Sequence, residues 1–146
     1  MSLPFLKVSP EDAIASIQSI ILSGYQLKDG IETEYARLRA NQSKVIEAAG
    51  RWKQAYARWI EESLKMLDAL YESQVYAYNF RDASPLTGFA LLGNPTRSDV
   101  VLNIQSRIKK LNEYERFIRE HVTVELRAGR DIYVINGDKA SVKTKN

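Results

Sequence analysis

From Ile31 onward the chain meets an apolar or aromatic residue at alternating steps of four and three. The positions are Ile31, Tyr35, Leu38, Gln42, Val45, Ala49, Trp52, Tyr56, Trp59, Ser63, Met66, Leu70, Ser73, Ala77 and Phe80, and twelve of these fifteen are apolar or aromatic. The same steps begun two residues later, at Thr33, meet only Ala40 and Val75. Such an alternation is the seam of a helix that lies lengthwise on another. Sustained over seven heptads, it predicts one long central helix over about 30–81, roughly 75 Å at 1.5 Å per residue, with Gly50 as the place for a kink.

Shorter periodic stretches flank it. Ser9-Pro10-Glu11-Asp12 has a capping hydroxyl, a first-turn proline and first-turn acids, and Ala13, Ile14, Ile17, Ile20 and Ile21 then share a face. This predicts a first helix over about 10–27, ended by Gly24 and by a fresh cap at Asp29-Gly30-Ile31-Glu32. Ser84-Pro85 and Gly93-Asn94-Pro95 bracket an apolar connector, 84–95. Val101, Ile104, Ile108, Leu111, Ile118 and Val122 predict a third helix over about 96–128, stopped at Ala128-Gly129. Asn136-Gly137, between DIYVI and DKASVK, predicts a small C-terminal β-hairpin in 131–146.

The fold expected for 1–146 is thus a single, mainly all-α domain: an elongated antiparallel, coiled-coil-like helical bundle with a C-terminal hairpin. The predicted helix lengths suggest that helix 1 folds along the first part of helix 2 and helix 3 along the rest. A body only two helices thick leaves much of each stripe in water. A second copy is the simplest cover, so a homo-dimer is expected, with another helical protein as the other occupant.

The segment RWKQAYARWIEESLKML, 51–67, sets two tryptophans and a tyrosine among cations. At 100° per residue Trp52, Tyr56 and Trp59 fall within about 60° of one another, whereas Arg51, Lys53 and Arg58 lie about 100° or more from Trp52. The rings form one stripe and the charges flank it, which fits a buried seam better than interleaved stacking on single-stranded nucleic acid. At the end of the long periodic stretch, Tyr76 and Phe80 are followed by Leu86, Phe89, Leu91 and Leu92, which make either an apolar plug or a contact with a partner or membrane surface. The partner-binding candidates are Trp52, Tyr56, Trp59, Tyr76, Phe80, Phe89 and Leu91.

Composition narrows the chemistry. The chain has 146 residues, 45% apolar and 27% charged, with no cysteine and one histidine. Disulfides, thiolate catalysis and cysteine metal sites are excluded. His121 has Ile118 three residues ahead of it where a di-iron bundle has glutamate. Glu61 and Glu62 point about 100° apart and suit a solvated face. No phosphate-binding glycine loop is present, so no catalytic residue, cofactor, metal or small-molecule ligand is expected. The net charge of +3 is uneven: residues 1–99 hold 11 Lys/Arg against 12 Asp/Glu, and residues 100–146 hold 10 against 6. Without a secretory leader or a spanning apolar run, a cytoplasmic protein is expected. The expected function is a non-enzymatic helical protein-protein interaction or scaffolding module that self-associates through the seam. The alternative is a nucleic-acid-associated or regulatory helical protein using Arg107, Lys109, Lys110, Arg116, Arg119, Arg127 and Arg130, although acids interrupt that set.

Overall fold

The computed structural model describes residues 3–83 and 97–137, with side chains up to residue 124. Its helices are α1 (Pro10–Leu38), α2 (Gln42–Leu70), α3 (Val75–Arg81) and α4 (Arg97–Gly137). Among the described residues there is no strand, only an isolated antiparallel bridge between Leu6 and Tyr71.

The first helix starts where the cap predicts. Ser9 accepts a hydrogen bond from the Asp12 amide at 3.1 Å, with Pro10 at the first helical position. It does not end at Gly24 or Asp29-Gly30. A Cβ on Gly24 would stand 2.6 Å from Cζ2 of Trp59, so this glycine makes room for an indole rather than stopping a helix. Gly30 meets nothing within 4 Å and costs the helix about 1 kcal/mol at most relative to alanine. The break comes at Arg39–Asn41, where the Asn41 side chain accepts from the Lys44 amide and caps α2.

The expected central helix is therefore three pieces, the end of α1, α2 and α3, with turns at 39–41 and 71–74. The burial pattern nevertheless runs through both turns. Of the fifteen seam positions only Gln42 and Ser73 are exposed, and every position of the set begun at Thr33 is exposed. A three- or four-residue turn replaces about one helical turn, so the phase survives while the chain reverses direction. Periodicity reports which side faces the core and is blind to the reversal.

Side-chain contacts fix the topology. Glu34 meets Arg51 and Trp52, and the Ile20 carbonyl meets Trp59, so α1 and α2 are antiparallel. Gln18 meets Glu115 and Glu32 meets Arg97, so α1 and α4 are antiparallel as well. The carbonyls of Tyr76 and Arg81 meet Tyr114 and Arg107, which sets α3 antiparallel to α4. The result is an up-down-up-down bundle within one chain, not a body two helices thick. Its third member, at seven residues, spans only about 10 Å against about 44 Å for α2. The N-terminal residues close the end that α3 occupies: Leu3 and Leu6 are buried, the Lys7 amide donates to Leu70, and the Glu72 amide donates to Phe5.

The helix at the end of the chain continues through Ala128-Gly129 to Gly137, across the residues expected to form the first strand and turn of a hairpin. No described glycine has positive φ, so Gly129 does not act as a left-handed cap that stops α4, and an isolated two-stranded hairpin is marginal in water. Residues 138–146 and the connector 84–95 lie outside the described residues, apart from which no helix is long and apolar enough to cross a membrane.

Candidate functional site

The aromatic stripe is used inside the chain. Trp59 is 3% exposed, donates from Nε1 to the Ile20 carbonyl at 3.1 Å, and packs edge-on against Phe80, with ring centroids 5.9 Å apart. Trp52 is 4% exposed and donates from Nε1 to the Glu34 carboxylate at 2.7 Å. Tyr56 is half-buried, and its hydroxyl pKa is raised because burial disfavours the phenolate, although nearby Arg107 pulls the other way. Phe80 is fully buried, and half-buried Tyr76 stacks on Tyr71 with centroids 3.8 Å apart. Phe89 and Leu91 lie outside the described residues.

The α3 end is a filled aromatic cap. Burial pushes the hydroxyls of Tyr71 and Tyr114 well above the usual tyrosine range, with like-charge repulsion among neighbouring phenols adding to it. Tyr114 donates to the Tyr76 carbonyl at 2.7 Å, whereas the buried Tyr71 hydroxyl has no hydrogen-bond partner among the described residues. His121 sits half-buried, edge-on to Phe5 at 5.2 Å, with Nδ1 3.0 Å from the Phe117 carbonyl. Arg107 is 6% exposed and, among the described residues, has no carboxylate partner in hydrogen-bond range. It donates instead to Asn103 Oδ1 at 2.9 Å and to the Arg81 carbonyl at the end of α3. Desolvation lowers its pKa, and the carbonyl it holds is one of those a helix terminus leaves unpaired.

Among the described residues, the same side of α2 is open beyond α3. Val45, Ala49, Tyr56, Ile60 and Leu67 fall within about 60° of one another around the helix. Phe80 of α3 packs beside the lower part of this stripe, against Trp59. Next to its upper part lies a cleft of about 520 Å³, between the end of α1 (Tyr35, Arg39), the first three turns of α2 (Gln42 to Lys53) and the start of α4 (Arg97, Ser98). That is the size of a ligand site or a short groove. The floor is apolar: Val45, Ala49, Gly50 and Trp52 line it, and Ile46 at the rim is 65% exposed.

The rim is basic. Arg39, Lys53 and Arg97 line the cleft, and among the described residues no carboxylate does. Arg97 is held by Glu32 at 2.6 Å and lies over the Tyr35 ring at 4.4 Å, and its buried Nε makes no hydrogen bond. Arg39 and Lys53 make no ion pair among the described residues. Below the cleft, Glu34 takes Arg51 at 2.8 Å together with Trp52. The hydrogen bonds from Arg51 and Trp52 hold its carboxyl below the usual glutamate range. The deeper signal in the sequence was Asn41, an amide residue four positions before Val45, whose capping role marks the α1–α2 turn that forms one wall.

Other positions offer less. A shallower groove of about 300 Å³ between α1 and α4 is bordered by Tyr25, Lys28, Gln105, Ile108, Lys109 and Asn112. Of the basic set in the last third, Arg107 is buried, Lys110 pairs with Glu113 and Arg119 pairs with Glu115. Among the described residues, no three His, Asp or Glu side chains converge as a metal site would require. No family model, no curated protein and no solved structure matches the chain.

Proposed function

We propose that the protein is a non-enzymatic helical protein-protein interaction module whose partner surface is the open upper face of α2. The observation that carries this is the length of α3. It stops after seven residues, so the α2 stripe passes from a half packed under Phe80 to a half beside an open cleft. A groove flanked by helices suits an amphipathic helix laid lengthwise, with apolar anchors three and four residues apart. The seam itself is covered within the chain, so Trp52, Trp59 and Phe80 act as scaffold for this surface.

A photo-crosslinking residue placed at Ile46, with the exposed outer position Glu61 as control, tests the proposal in cells that make the protein. Adducts with another polypeptide are expected from position 46 and not from position 61. An adduct of twice the chain's mass would make the partner a second copy. Equal labelling at both positions, or none at 46, overturns the proposal.

A further inference from the structure

Resting on that proposed surface, we infer that the cleft receives an acidic amphipathic helix from another protein. Charge selects this occupant. The floor offers Val45, Ala49 and Trp52 to an apolar face, while Arg39, Lys53 and Arg97 stand around it with no lining carboxylate among the described residues. Two of the three cations, Arg39 and Lys53, have no ion pair among the described residues, whereas Arg97 is already paired with Glu32. An incoming helix with leucines on one side and glutamates beside them satisfies both floor and rim. A second copy of this chain is the poorer electrostatic match, because its net charge is +3. The chain's own segment 84–96, SPLTGFALLGNPT, has apolar residues but no carboxylate to meet the cations.

The upper part of α2 that borders the cleft, 42–53, is about 18 Å long, which matches a helix of about 12–14 residues. Three labelled peptides of that length serve as probes. All carry leucines three and four residues apart on an alanine background, and the flanking positions are glutamate in one, glutamine in the second and lysine in the third. Binding is read by fluorescence anisotropy against the full chain. The glutamate peptide is expected to bind about tenfold more tightly than the glutamine peptide, the combined effect of partly exposed ion pairs to Arg39 and Lys53, and the lysine peptide more weakly still. The order should flatten with added salt and in Lys53→Glu, while Ile46→Ser should weaken all three peptides equally.

Equal binding of the three peptides, still weakened by Ile46→Ser, overturns the acidic partner and leaves the open-face proposal standing. Binding of no peptide overturns both. If peptides bind only after Leu86, Phe89, Leu91 and Leu92 are replaced by serine, the inference is overturned in favour of the chain's own segment. A dimer in light scattering that Ile46→Ser dissociates overturns it in favour of a second copy.

Discussion

Trp59 and Trp52 stand seven residues apart on one stripe of one helix, and the chain treats them differently. Trp59 lies in the half that α3 covers. Its indole fills the space left by Gly24, meets Phe80 edge-on and gives its N–H to a neutral backbone carbonyl. Trp52 lies in the half α3 does not reach. It borders the cleft, and its N–H goes to the carboxylate of Glu34, which also holds Arg51. One half is closed by shape and the other is tied by charge. On the proposed reading, stability concentrates in the closed half and recognition in the open one.

The largest expected effect breaks the closed half. Phe80→Ala removes a fully buried ring from the contact between α3 and Trp59 and should cost about 3–5 kcal/mol, a large share of the stability of a domain this size. Urea unfolding measures the loss, and tryptophan emission should shift red as water reaches Trp59. Ile46→Ser in the open half should change the unfolding free energy by less than about 0.5 kcal/mol, because surface changes away from packed features have little effect. A similar cost for the two would erase the distinction between the halves.

The division of labour between the tryptophans could not be read from the sequence, although their shared stripe could. The four-three spacing identified the buried side of the end of α1, of α2 and of α3, although it passed over Ala48, Leu67 and Tyr71, because apolar burial depends on facing the core. It missed the reversals at 39–41 and 71–74, since a short turn conserves phase. Which half of α2 lies under α3 depends on where the chain turns after α2, and at that turn Tyr71 pairs with Leu6, a contact 65 residues apart in sequence. The basic rim was equally hidden: Arg39, Lys53 and Arg97 belong to three different helices or turns and converge only in the fold.

The next effect concerns how α3 is held. Arg107→Ala leaves the Arg81 carbonyl and Asn103 without their donor and should cost about 2–4 kcal/mol. Arg107→Met fills the same space without desolvating a charge and should cost less than half as much. If methionine is as damaging as alanine, the guanidinium hydrogen bonds rather than the packing hold the closed half together. Either result can be read from urea midpoints at neutral pH.

A smaller effect changes sign between the two halves. Gly24→Ala gains about 1 kcal/mol of helix propensity but forces a methyl against the Trp59 indole, so a net loss of about 1–2 kcal/mol is expected. Gly50→Ala, where a Cβ meets nothing within 4 Å, should gain up to about 1 kcal/mol. The same substitution in two exposed helices of a peptide would have one sign. Thermal unfolding of both variants shows whether packing at Trp59 outweighs propensity.

The smallest effect isolates the charge in the open half. Glu34 has a folded-state pKa below its unfolded value, because Arg51 and Trp52 donate to its carboxylate. Its contribution is therefore present above the unfolded pKa and fades as pH falls through the lower, folded one. Glu34→Gln keeps the shape and loses the charge. The stability gap between the unaltered chain and Glu34→Gln should be constant between about pH 6 and 8 and should narrow as pH falls below about 4.3, the ordinary glutamate range. Trp59, bonded to a carbonyl, gives the closed half no such dependence. A gap that stays constant down to pH 3 would mean that shape rather than charge ties Trp52 to α1, and the contrast between the two tryptophans would then be one of exposure alone.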